Sequence, residues 1–186
     1  MTRTLASAAA SIRTAAGPGH PPAGLTWGVK QSFLRYLAGL PDGGHAASGG
    51  AYLSENSFFT FPPHPDSEQT IAGELRFRGA VHLSGHAGLL QVLIADPRLV
   101  LRETGALLTI ANRIDAPDGS ERIPLADLEI NDSYSTRQGL VLPLISASLT
   151  TAGCDLFGGH YPPGESLDPI FVFAPQPDSY RTGPRR

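Results

Sequence analysis

The chain has 186 residues, 41% hydrophobic and 17% charged, which suits one domain with a sizeable core and is short for two. A formal net charge of -3 excludes a generally basic nucleic-acid binder. The single cysteine, Cys154, excludes an internal disulfide framework and a cysteine-only zinc site, and no apolar run approaches the ~20 residues of a membrane-spanning helix.

Residues 1–24 are rich in Ala, Ser, Thr, Gly and Pro. The run LASAAASI is a short, weak match to the ~7–15-residue apolar region of a secretory signal, so a disordered leader is expected there. Residues 25–174 are expected to form the folded domain, and residues 175–186 a flexible tail. Of the 14 basic residues only Lys30 is a lysine, which reads as codon bias rather than function.

The strongest helical pattern runs over residues 25–39, with Thr26 as a possible N-cap, Gly39 as the stop and Pro41 beyond it. At roughly 100° per residue, Val29, Phe33, Tyr36, Leu37 and Leu40 share one face. Ser32 lies on the flank of that stripe, one turn before Tyr36. The core-facing stripe thus carries a phenol with a hydroxyl beside it.

The remainder reads as β-structure. Residues 74–84 alternate, with Leu75, Phe77, Val81 and Leu83 on one side and Arg76, Arg78, His82 and Ser84 on the other. Residues 85–88 form a turn, residues 89–94 return as a second strand, and Asp96-Pro97 breaks the pattern. Further strands are expected at 98–102, 107–111, 121–129, 139–146 and 170–173. A short second helix is expected at 150–159, capped by Thr150 or Thr151. With 21 Gly and 17 Pro punctuating short strands, the fold class is mainly β: an antiparallel sandwich or barrel-like domain with one prominent N-terminal helix.

No phosphate loop, dinucleotide fingerprint or nucleophile elbow is present, and no carboxylate pair has a spacing that argues for acid–base work. The histidines are His20, His45, His64, His82, His86 and His160. The first three sit in Gly/Pro-rich stretches and read as solvated loop residues. His82 and His86 would stand roughly 13 Å apart on an extended strand, too far to share one ion unless the turn at Gly85 folds them together. Tyr36 has two readings. It is a packed core residue with a satisfied hydroxyl, or it is a ligand, because a phenolate is a hard anionic donor suited to ferric iron. A free phenol titrates near ~10, so a ligand of this kind needs help to lose its proton. A histidine at the hairpin tip, such as His86, would supply it.

Three separated blocks resemble the Htaa-domain family, named for haem-transport association. They are residues 25–36 (LTWGVKQSFLRY), residues 77–90 (FRGAVHLSGHAGLL) followed by 95–99 (ADPRL), and residues 149–169 (LTTAGCDLFGGHYPPGESLDP). They span the domain in the family order. The resemblance implies haem held between helix and sheet, with Tyr36 as the ligand of ferric haem b iron. It also implies that His86 supports the phenolate by hydrogen bonding and that Ser32 belongs to the same pocket. Family members are typically exported or surface-anchored, whereas the leader here lacks a convincing signal, and His82 is not a residue that the family implies at its strand position.

The expected function is haem uptake, transfer or storage without turnover, with haem and other haem-transfer proteins as partners. The rival is a β-sandwich interaction module without haem, in which Tyr36 and His86 are core and turn residues. A haem-degrading or peroxidase-like enzyme comes third.

Overall fold

Strand β1 (Gly24–Trp27) lies in the middle of a sheet, between β4 (Phe59–Phe61) and β13 (Ile170–Pro175), antiparallel to both. Leu25 and Trp27 are fully buried, the Thr26 hydroxyl meets that of Thr60 at 3.0 Å, and Trp27 Nε1 donates to the Asp168 carbonyl at 2.8 Å. The helix expected from residue 25 therefore does not begin there. Burial of every residue of the strand between its two neighbours overrides local helix propensity over residues 25–27. The computed structural model describes residues 22–54, 57–65 and 73–175. The expected leader up to residue 21 and the tail beyond residue 175 lie outside the described residues.

After β1 the chain turns through Val29, which is fully buried with φ +61, and extended Lys30. Helix α1 (Gln31–Ala38) follows and stops at Gly39, as the sequence predicts. Its N-cap is Lys30 and not Thr26, and no side chain caps it. The Lys30 ammonium instead reaches Glu165 Oε1 at 2.7 Å and the Ser166 carbonyl at 2.8 Å. Only Phe33 and Leu37 of the helix are buried. Tyr36, expected in the core, is 48% exposed on the helix edge.

The remaining strands are β2 (Gly44–Ser48), β3 (Tyr52–Leu53), β5 (Glu74–Arg76), β6 (Ala80–Gly85), β7 (Leu90–Ala95), β8 (Arg98–Leu101), β9 (Ala106–Ala111), β10 (Arg122–Glu129), β11 (Tyr134–Thr136) and β12 (Gly139–Leu149). The larger sheet runs β3-β4-β1-β13-β12-β10-β9-β8-β5, with β11 added to β12; the smaller is β2-β6-β7. Every pairing is antiparallel. The path does not close on itself, so the domain is sandwich-like and not a barrel.

Two irregularities shape the sandwich. β12 pairs with β13 through its first half and with β10 from Ser146 onward. The switch falls at a register shift between Leu142 and Ile145, where Leu144 has φ +50 and Pro143, which has no N–H to give, falls within the bulge. The second irregularity breaks the single strand expected over residues 74–84. β5 pairs with β8 in the large sheet, whereas β6 pairs with β7 in the small one. Gly79 and Asp96 mark the crossing on the two sides. The Gly79 N–H donates to Asp96 Oδ1 at 3.0 Å, and the Asp96 N–H donates to the Gly79 carbonyl at 2.8 Å. Val81, Leu83, Val92 and Ile94 of the small sheet share one core with Leu99, Leu108, Leu125 and Ile145 of the large one.

Helix α2 (Thr151–Leu156) is the expected short second helix, and Thr150 is its cap, with Oγ1 accepting from the Gly153 N–H at 2.9 Å. It lies so close to β10 that a Cβ on Gly153 would sit 2.1 Å from the Leu125 carbonyl oxygen. Beyond Phe157 the backbone turns through Gly158 and Gly159, both left-handed.

Candidate functional site

A cavity of about 700 Å³ opens where α1, the β6–β7 turn, β7 and the chain after α2 converge. That volume lies within the range of small-molecule and cofactor sites. Helix α1 contributes Phe33 and Tyr36, the hairpin contributes His86 and Leu89, and the chain after α2 contributes Phe157, His160 and Tyr161.

The floor is aromatic. Phe33 stands edge-on to Phe157 at 5.3 Å between ring centroids and to Tyr161 at 6.4 Å, and Phe157 is edge-on to Tyr161 at 5.8 Å. Edge-to-face contact is the favoured geometry of aromatic pairs. The sole lysine helps to fix this wall, since the Lys30 ammonium lies 5.1 Å from the Tyr161 ring centre while paired with Glu165. Leu89, 92% exposed, projects at the lip.

At the same opening the Tyr36 hydroxyl is hydrogen-bonded to His86 Nε2. The two rings lie 5.9 Å apart, tilted by 44°. The tyrosine comes from the second turn of α1, and the histidine begins the turn His86–Gly88 between β6 and β7. That turn is unusual in its backbone: His86 and Ala87, neither a glycine, both take left-handed φ values of +53 and +54. Asp42, in the loop after α1, accepts a hydrogen bond on Oδ2 from the Ala87 N–H. This bond foremost, with smaller help from the backbone N–H groups of Asp42 and His86 and from the His86 charge, outweighs desolvation and holds the Asp42 carboxyl below its ordinary range.

Tyr36 and His86 are thus brought together. Ser32 is exposed in the first turn of α1 and does not line the cavity. His82 lies on β6 opposite Ala46 and Leu93, away from the lining. His45 packs edge-on to Phe59 at 5.8 Å. Among the described residues no group of three or more His, Cys, Asp or Glu side chains is placed to hold a metal ion. Sequence reading did not single out Asp42, Leu89, Phe157 or His160 as site residues. The only sequence trace of Asp42 is a Pro-Asp-Gly-Gly run that reads as a turn.

The Htaa family model matches residues 23–172. No curated protein matches the chain. Among solved structures, the N-terminal domain of HtaA from Corynebacterium glutamicum is similar at 28% identity and TM-score 0.62, covering 81% of this chain and 95% of that one. The C-terminal domain of the same HtaA gives 25% identity and TM-score 0.62 over 79% and 92%. Heme binding protein HtaB from Corynebacterium glutamicum shares the fold at 20% identity and TM-score 0.59, over 82% and 92%. With the family model covering most of the chain, from β1 into β13, this protein belongs to the Htaa family.

Proposed function

We propose that this protein binds ferric haem b in the cavity beside α1, with Tyr36 as the axial ligand and His86 as the partner of its hydroxyl, and that it carries the haem for uptake, transfer or storage. The observation that carries the reading is the Tyr36–His86 hydrogen bond at the mouth of an aromatic-floored cavity. The similarity to a protein described as heme binding supports the choice of ligand.

The residues present fit the group. Phe33, Phe157 and Tyr161 offer an apolar aromatic surface for a flat macrocycle, and the phenol offers an oxygen donor suited to ferric iron. His86 Nε2, hydrogen-bonded to the phenol oxygen, accepts the phenol proton as Tyr36 becomes a phenolate. The described lining contains no lysine or arginine, so it offers no ion pair to the haem carboxylates. Bound haem supplies only its iron as a Lewis acid to the phenolate. The other polar side chains of the lining are Gln91, Asp155, His160 and Tyr161.

The test is absorbance on mixing purified protein with hemin. The wild type is expected to give a saturable Soret band with one-to-one stoichiometry, and Tyr36→Phe to lose most of it. No saturable band with the wild type would refute the reading.

A further inference from the structure

We infer that Asp42 is the positioning residue of the Tyr36–His86 couple, clamping the left-handed His86–Ala87 turn so that the imidazole stays on the phenol. This rests on the haem reading above. Two successive non-glycine residues in the left-handed region form a conformation that L-residues rarely adopt and that persists only where surroundings hold it. The Asp42 carboxylate takes the Ala87 N–H, the donor that this conformation turns toward the loop after α1.

The loop that carries Asp42 is itself tied to the helix that carries Tyr36. The Gly43 N–H donates to the Leu40 carbonyl at 3.2 Å, and a Cβ on Gly43 would fall 1.8 Å from the Leu37 carbonyl oxygen. Leu40 also packs on the start of the turn, because a Cβ on Gly85 would meet Leu40 Cδ1 at 2.7 Å. The helix end, the Asp42 loop and the hairpin tip therefore form one connected piece. Within it the Asp42–Ala87 bond is the polar link that fixes which way His86 points. Asp42 touches neither the phenol nor the floor of the cavity, so its effect on a ligand must pass through His86.

The experiment uses Asp42→Ala, Asp42→Asn, His86→Ala and the double variant Asp42→Ala/His86→Ala, each checked for folding by circular dichroism. Hemin affinity is expected to fall about tenfold in Asp42→Ala, the scale for residues that orient a metal ligand. It should recover substantially in Asp42→Asn, whose amide oxygen still accepts. In the His86→Ala background Asp42→Ala is expected to add nothing. In the haem-free protein the Ala87 amide proton should resonate well downfield in wild type and Asp42→Asn, and move upfield in Asp42→Ala. An unchanged Ala87 shift, wild-type affinity in Asp42→Ala, or an equal loss with and without His86 would each overturn the proposal. If the wild type takes up no hemin, the haem reading fails, and the Ala87 shift still decides whether Asp42 holds the turn.

Discussion

The Tyr36 hydroxyl and His86 Nε2 are bonded to each other although 50 positions separate them in the chain. The contact exists because α1 and the β6–β7 turn are joined at their ends through Leu40 against Gly85 and Asp42 against Ala87. A phenol 48% exposed at the rim of a cavity is available to a ligand in a way that a buried core phenol is not.

Tyr36→Ala should remove most hemin binding with little effect on folding. A half-exposed ring leaves no core void, so stability is expected to change by no more than about 0.5 kcal/mol. Hemin titration and thermal melting of the same preparation check both halves of this expectation.

His86→Ala should weaken hemin binding about ten- to hundredfold, less than the tyrosine change, because it removes the group that takes the phenol proton and not the ligand. His82→Ala should leave affinity unchanged, since His82 does not line the cavity. A reversed order in the two titrations would mean that the supporting histidine is His82.

Reduction should promote release. An anionic oxygen donor favours the higher charge of ferric iron, and reduction removes that advantage. Transfer to apomyoglobin, followed at the Soret band under anaerobic conditions, is expected to be faster after dithionite than before it. Equal rates would point to histidine ligation.

Thr150→Ala should destabilise the domain by about 1 kcal/mol, the usual cost of losing a helix N-cap. The hydroxyl accepts from the Gly153 N–H at 2.9 Å and also donates to the Pro124 carbonyl. Because α2 leads directly into Phe157 and Tyr161, hemin affinity should drop as well. Urea unfolding and titration of this variant measure the two effects.

What the sequence makes legible is local. Gly39 ends α1, Thr150 begins α2, and the alternation of Val81 and Leu83 marks β6, because caps and period-two burial are written in neighbouring residues. Residues 25–27 mislead: LTW joins smoothly to the helical pattern, and only its place between β4 and β13 makes it a strand. β2 is invisible because four of its five residues are exposed and none is a large hydrophobic. Tyr36 reads as core because it shares a face with Phe33 and Leu37, yet the helix presents it at an edge where the sheet ends and the cavity begins. Asp42 and Ala87 are ordinary turn residues until the fold sets them against each other, 45 positions apart.

Resonance Raman spectroscopy of the ferric hemin complex tests the ligand assignment most directly, using wild type and Tyr36→Phe. Tyr36→Phe deletes only the hydroxyl and keeps the ring, so packing is unchanged. The account predicts iron-bound phenolate ring modes in the wild-type complex and none in Tyr36→Phe. A wild-type complex without phenolate modes, or a Tyr36→Phe complex with the wild-type spectrum, would contradict it.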